Sequence, residues 1–254
     1  MLISVAENKQ GRDFAIGDLH GCYSALQRLL SEVNFDVSSD RLFAVGDLID
    51  RGDESPCCIE LLRQPWFYAV RGNHEEMMLA WYHAQGDERL ERQQSWSREG
   101  GAWFFELPAA LQNAYCQLVE PLPYAMLIRS QGQLYCVIHA EVPPEISLIE
   151  VFFARLIAGE QEVINACLYG RRRQRSDFQQ RIGGIDFILS GHTPGRLPRI
   201  WSGNSLRLDF GAGQRGKFNG LGMLELGKNN LLIGYPHQLS RSDALSFRVE
   251  TEKR

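Results

Sequence analysis

The chain has 254 residues, 44% hydrophobic and 23% charged, which provides apolar mass for a sizeable core and argues against a disordered or fibrous protein. Its net charge of -4 supplies no global attraction to nucleic acid or to an anionic membrane, so any phosphate recognition must be local. The six cysteines form no C-x-x-C pair, and they read as reduced thiols or core residues rather than a disulfide framework.

Residues 2–6 are too short an apolar stretch for the core of a signal peptide. The segment 148–158 carries Glu150 and Arg155 and falls far short of a membrane span, so a cytoplasmic protein is expected. No Pro/Ser/Gly-rich linker divides the chain, which predicts one domain. The apolar run 14–16 ends at Gly17-Asp18-Leu19-His20-Gly21, and Leu26, Leu29, Leu30 and Val33 then recur at helical spacing. The run 42–45 leads to Gly46-Asp47-Leu48-Ile49-Asp50-Arg51-Gly52 and a helix over 56–63, with Pro56 suited to a first turn. The run 67–70 leads to Arg71-Gly72-Asn73-His74-Glu75 and a helix through Met77, Met78 and Trp81. Three strand–loop–helix units in succession predict an α/β sheet that is locally parallel.

Residues 84–120 break this rhythm. They are rich in Gln, Arg, Glu and Trp and predict a helical insertion, either a wall over the site or a surface layer whose Trp96, Trp103, Phe104 and Phe105 fill the core. Beyond it, strand candidates at 124–129, 133–138, 185–189, 205–210, 221–226 and 231–235 are separated by turn signals, with helical spacing only around 146–167. The second half therefore predicts a mostly antiparallel sheet beside the first, and the whole a layered α/β sandwich.

Ligands of open α/β sheets bind at the carboxyl ends of the strands, where these loops place Asp18, His20, Asp47 and Asn73. His139 closes the run 134–138 and His192 follows 187–189, so they belong to the same edge. Carboxylate with imidazole suits Mn, Fe or Zn better than Ca or Mg, and the two oxygens of Asp47 can bridge two ions. Two ions about 3.5–4 Å apart acidify a water and stabilise both oxygens of an in-line displacement. Arg51 and Arg71 flank the proposed ions and suit phosphate oxygens. His74 is placed to protonate a leaving alkoxide, with Asp50 as its carboxylate partner. Singly, each residue has a duller reading as a helix cap, a solvated imidazole or a surface charge. The ordered set of four His and three Asp is what points to a metal-dependent phosphoester hydrolase.

The motifs GDxHG, GDxxDRG and GNHE, the strand-terminal His139, and Ser190-Gly191-His192-Thr193-Pro194 resemble the metallophosphoesterase superfamily. Within it they are most similar to the phosphoprotein phosphatases of the bacteriophage lambda type. The likeness runs from about residue 12 to 226 and includes Glu99-Gly100-Gly101-Ala102-Trp103-Phe104-Phe105. It implies a single calcineurin-like α/β/β/α domain over 1–254, with the helical insertion at about 84–120. It also implies Asp18, His20 and Asp47 on one divalent ion and Asp47, Asn73, His139 and His192 on the other. Mn2+ is the foremost candidate, with Fe or Zn as alternatives. His74 becomes the general acid paired with Asp50, Arg51 and Arg71 contact phosphate, and metal-bound hydroxide attacks directly without a phosphoenzyme.

A further phosphate-contacting arginine is expected in Tyr169-Gly170-Arg171-Arg172-Arg173, with Arg173 the first choice and Arg171 the second. The implied activity is serine/threonine protein phosphatase, with phosphotyrosine as a secondary substrate. Phosphoproteins are the expected partners, without nucleic acid or membrane. Related diadenosine tetraphosphate hydrolases typically lack an Asp at the position of Asp50 and carry GNHD, so Asp50 and Glu75 favour a phosphoprotein here.

Two other readings compete. Cys167-Leu168-Tyr169-Gly170-Arg171-Arg172-Arg173 fits the loop of a cysteine-dependent phosphatase, but the C-x5-R spacing recurs at Cys22/Arg28 and Cys57/Arg63 and leaves the Asp/His set unexplained. A non-catalytic phosphopeptide-binding module would keep Arg51 and Arg71 yet tolerate loss of ligands or acid, and all are present.

Overall fold

A computed structural model describes residues 1–175, 180–195, 200–201, 203–214, 216, 219–228, 230–234 and 239–240. Strand β1 (Leu2–Val5) is an element that hydropathy did not predict, because its residues are partly exposed and lack an apolar run bounded by turn signals. The three predicted units follow: β2 (Asp13–Ile16) with α1 (Tyr23–Glu32), β3 (Arg41–Ala44) with α2 (Ser55–Glu60), and β4 (Phe67–Ala69) with α3 (Asn73–His83). The insertion is helical, as expected, with α4 (Gly86–Arg98), a 3-10 segment (Gly101–Glu106) and α5 (Ala109–Val119). Next come β5 (Ala125–Ser130), β6 (Gln133–Ile138), α6 (Ile149–Ile157), α7 (Gln161–Tyr169), α8 (Arg172–Arg175) and β7 (Phe187–Ser190). The chain continues with β8 (Ile200–Trp201), β9 (Ser205–Arg207), β10 (Asp209–Phe210), β11 (Gly220–Glu225), β12 (Asn230–Gly234) and β13 (Leu239–Ser240). Tyr235, the end of the predicted strand 231–235, lies outside the described residues.

One sheet has the order β1-β5-β6-β7-β9-β8 and the other β13-β12-β11-β2-β3-β4, with β10 paired to β11. The second half thus forms no separate antiparallel sheet. Strand β11 joins the sheet of β2 antiparallel to it and β12 pairs antiparallel with β11, while β6, β7 and β9 run parallel in the other sheet. The parallel β6–β7 pairing follows from the helical crossover through α6 and α7, which returns the chain to the same end of the sheet. The predicted strand 205–210 breaks at Leu208, where the chain passes from one sheet to the other.

The sheets pack face to face. Ala15, Phe43, Met126, Ile128, Tyr135 and Val137 share one cluster between them. The alternate residues Phe14, Ile16, Leu42 and Ala44 pack under the helices on one side. Cys136 and Ile138 do the same with Phe152 and Cys167 of α6 and α7 on the other. The result is a helix, sheet, sheet, helix sandwich. Strands buried on both faces read as continuous apolar runs rather than as alternation, which is why 14–16 and 42–45 stand out in the sequence. Each fully buried side chain such as Phe43 contributes about 1.5–3 kcal/mol. Among the described residues no helix is long and apolar enough to cross a membrane.

Candidate active site

The parallel strands β2, β3 and β4 end together, and so do β6 and β7, which brings their following loops to one edge. Asp47 sits at the centre. Its Oδ2 lies 3.5 Å from Nε2 of His20, 3.8 Å from Nε2 of His74 and 3.4 Å from Nε2 of His139, and Asp47 is buried. Asp18 Oδ2 is 4.0 Å from Nε2 of His20. On the far side, Asn73 Oδ1 is 2.9 Å from Nε2 of His139 and 2.8 Å from Nδ1 of His192. Two sets of side chains, His20/Asp47/His74 and Asp47/His139/His192, offer ligand atoms within 4.8 Å of one another.

The imidazoles are turned for coordination. Nδ1 of His20 lies 2.9 Å from the carbonyl oxygen of Ile49, and Nδ1 of His139 lies 2.9 Å from that of Val45. A carbonyl only accepts, so Nδ1 carries the hydrogen in both rings and the Nε2 lone pair faces inward, the arrangement that metal-ligating histidines adopt. Burial pushes the pKa of His20 down to about 3, and burial followed by the neighbouring His139 does the same to His192. Both rings are therefore neutral at neutral pH, the state in which an imidazole can bind a cation.

Three of the acids show the complementary stress, whereas at Asp47 burial is outweighed by His139, His74 and His20, which hold its carboxyl below the ordinary range. Burial, and then the charges of Asp209 and Asp47, raise the pKa of Asp18 well above its ordinary range. Burial and Asp47 push Glu75 up to about 7, and Asp209 rises to about 6 for the same two reasons. Crowded carboxylates facing inward lone pairs form a donor set that divalent cations fit, and cations would relieve its repulsion.

Backbone geometry carries the same signature. Of the seven non-glycine residues with positive φ among the described residues, His20, Asp47, Asp50, Arg51 and His192 lie in these loops. Left-handed backbone costs such residues about 1–3 kcal/mol each, and its concentration here marks an edge held against local preference. Glu75 does part of the holding. Its carboxylate accepts the backbone N–H groups of Asp47, Leu48 and Gly72, each at 2.8 Å. That role was not read from the sequence.

His74 and Asp50 meet as predicted, with Nδ1 2.6 Å from Oδ2. Burial works against the charged imidazolium of His74, but Asp47 and the Asp50 hydrogen bond outweigh it and its pKa is raised. Arg51 reaches across the edge, its Nη1 2.7 Å from Nε2 of His20 and its Nη2 3.2 Å from Nε2 of His74. Arg171 donates from Nε to Nε2 of His192 at 3.1 Å, so the opposite flank also has an arginine.

Two residues predicted to contact phosphate make other contacts in this structure. Arg173, the first choice in its run, is buried and donates to the carbonyl oxygens of Val142, Pro143 and Ile146. Its guanidinium stitches down the chain after β6, and Arg171 is the member of the run at the site. Arg71 is likewise engaged elsewhere, bonded to Glu76, to the Tyr124 hydroxyl and to the carbonyl of Glu120. These contacts tie the start of α3 to the end of the insertion. The cysteine reading also fails: Cys167 is buried within α7, and burial pushes its thiol pKa strongly up, the opposite of an activated nucleophile.

Beside the site opens a cleft of about 400 Å3, lined by Glu76, Arg92, Ser95, Trp96, Asn165 and Tyr169. The Tyr169 ring lies 6.5 Å from that of His192.

Residues 14–196 match the family of calcineurin-like phosphoesterases. The chain is 36% identical over 204 residues to serine/threonine-protein phosphatase 1 of Salmonella typhimurium, a match covering 78% of this chain and 86% of that protein. It is 33% identical over 198 residues to a symmetrical bis(5'-nucleosyl)-tetraphosphatase of Dechloromonas aromatica, covering 75% of this chain and 59% of the other. A crystal structure described as a candidate diadenosine tetraphosphatase superposes with a TM-score of 0.62 at 22% identity, covering 92% of this chain and 98% of that one, a likeness of fold.

Proposed function

From the premise that this chain belongs to the calcineurin-like phosphoesterases, hydrolases whose fold implies a site for two divalent metal ions, we propose that it hydrolyses phosphoprotein monoesters, those of serine and threonine foremost. In this reading Asp18, His20 and Asp47 hold one cation and Asp47, Asn73, His139 and His192 the other. Mn2+ is the foremost candidate and Fe or Zn are alternatives, since mixed carboxylate and imidazole donors suit first-row metals. When bound, the pair supplies Lewis acidity that makes hydroxide accessible near neutral pH and offsets the charge of the phosphoryl oxygens.

The chain's own side chains do the rest. Arg51, with two guanidinium nitrogens at the edge, grips the phosphoryl group, and Arg171 approaches it from the opposite flank. Once phosphate draws Arg51 away from Nε2 of His74, that nitrogen, on a ring whose pKa is raised, would carry the proton for the departing oxygen, and Asp50 fixes the ring through Nδ1. The 2.6 Å contact between His74 and Asp50 carries the choice of substrate. A serine or threonine alkoxide is a strongly basic leaving group that needs a proton as it departs, whereas a nucleoside phosphate leaves as a stable anion without one. The cleft lined by Glu76, Arg92 and Tyr169 gives an extended peptide a polar bed beside the phosphate.

The test is release of phosphate from phosphoserine, phosphothreonine and phosphotyrosine peptides, run beside hydrolysis of diadenosine tetraphosphate, in manganese and in chelator. Manganese-dependent turnover should favour the phosphoserine and phosphothreonine peptides over the dinucleotide. Preference for the dinucleotide would move this chain to the tetraphosphatase side of its relatives.

A further inference from the structure

Asp50 is fully buried and receives three N–H donors. Its Oδ2 accepts from Nδ1 of His74 at 2.6 Å and from the indole Nε1 of Trp96 at 2.6 Å, and its Oδ1 accepts from the indole Nε1 of Trp103 at 2.8 Å. Both indoles belong to the helical insertion, one on α4 and one on the 3-10 segment. We infer that Trp96 and Trp103 are positioning residues, an indole clamp through which the insertion orients the Asp50 carboxylate and, through it, the His74 ring. The inference rests on the reading of His74 as proton donor to the leaving group.

A buried carboxylate bonded only to one imidazole is free to swing about its last side-chain torsion. Either oxygen could then face the ring. Indoles are donor-only groups, so two of them fix both oxygens and leave one direction open for Nδ1 of His74. The backbone of Asp50 is held as well, its N–H donating to Oγ of Ser55 at 2.9 Å while the residue takes a φ of 73°.

Core packing accounts for the burial of Trp96 but not for where its nitrogen points. Trp81 packs in the same aromatic cluster, 5.3 Å from both Phe104 and Phe105, and its Nε1 is buried with no hydrogen-bond partner among the described residues. Burial there is satisfied without a bond. Trp96 also packs on Phe104 and Phe105, at 5.0 and 5.3 Å, yet delivers its N–H to Asp50. The turn between the two tryptophans is built for this approach. A Cβ on Gly101 would collide with the Trp96 indole nitrogen, and one on Gly100, which has a φ of +111°, would stand 2.7 Å from the backbone nitrogen of Arg51.

Leaving-group dependence is the deciding measurement, because 2,4-dinitrophenolate departs without a proton and phenolate needs one. Trp103→Phe, Trp96→Phe, Asp50→Asn and His74→Asn would be compared on phenyl phosphate and 2,4-dinitrophenyl phosphate in the manganese-loaded enzyme. Loss of a hydrogen bond to a charged acceptor predicts that each tryptophan variant falls about 10-fold or more in kcat on phenyl phosphate and about 3-fold or less on the dinitrophenyl ester. In the Asp50→Asn background, Trp103→Phe should add nothing. In metal-free protein, two of the five indole N–H cross-peaks, assigned through the single variants, should shift on Asp50→Asn. A tryptophan effect equal on both esters, undiminished in the Asp50→Asn background, would reduce the clamp to packing and overturn the inference. If the His74→Asn variant itself shows no leaving-group dependence, the reading of His74 falls and the inference with it. Dependence in His74→Asn and Asp50→Asn, but in neither tryptophan variant, overturns the clamp alone. Trp103 is only partly buried, so its variant remains informative should Trp96→Phe fail to fold.

Discussion

The two ends of strands β2 and β3 handle carboxylates in opposite ways. At their start, Asp13 takes Nε and Nη2 of Arg41 at 2.8 and 3.0 Å, and Asp40 takes Nη2 of Arg12 at 2.6 Å. Burial of Asp40 is outweighed by the bonds from Arg12, so its carboxyl sits below the ordinary range. At their finish, Asp18 and Asp47 face each other, Asp209 and several imidazoles, with no arginine bidentate to either among the described residues. One end is built for stability. The other crowds the raised carboxyls of Asp18 and Asp209 onto loops of left-handed backbone, the pattern expected where function is placed at the expense of the fold.

The largest expected effect lies at the strained end. His74→Asn should lower turnover of a phosphoserine peptide by about 10²–10⁴-fold while leaving metal content intact, as judged by steady-state kinetics and elemental analysis. Unchanged turnover would strip the strained end of its acid. At the paired end, Arg41→Ala leaves buried Asp13 without its cation and should cost about 3 kcal/mol in denaturant unfolding. Turnover per folded molecule should not change, and a selective loss of activity would blur the division between the ends.

The smallest effect on stability has the opposite sign. Asp18→Asn should raise the melting temperature of metal-free protein by about 2–4 °C at alkaline pH, the equivalent of about 1 kcal/mol, while abolishing activity. The sign follows from the raised carboxyl of Asp18. Above its ordinary value of 3.8 the unfolded chain releases the proton while the fold keeps it, so wild-type stability falls as pH rises toward the raised value. The amide removes that fall, and the gain should vanish near the acid end of the range. A loss of stability at alkaline pH would mean that Asp18 is not under repulsion.

What could be read from the chain divides along the same physical line. Strands β2, β3 and β4 were legible because strands buried on both faces need unbroken apolar runs, and the glycines and aspartates that end them are turn formers. The pairing of β11 with β2 was not, since nothing local in 221–226 says which sheet it joins. Asp18, His20, Asp47, Asn73, His74, His139 and His192 were legible as a set because few other reasons put those side chains after so many strands. The partners of Arg173 and Arg71 were not legible, because they depend on which carbonyls and acids lie near each guanidinium, and those are set by the fold. Trp96 and Trp103 were ambiguous for a similar reason: an aromatic side chain reads as core, and only the fold shows where its N–H is aimed.

The central claim is that the crowded edge around Asp47 is a two-cation centre that cleaves phosphoesters. Metal content and phosphopeptide turnover, measured together on manganese-reconstituted wild type and Asp47→Asn, test it most directly. Two ions per wild-type chain, with both ions and turnover lost in the variant, are predicted. Turnover by wild-type protein carrying no ion, or an Asp47→Asn variant that keeps both ions and full activity, would contradict it.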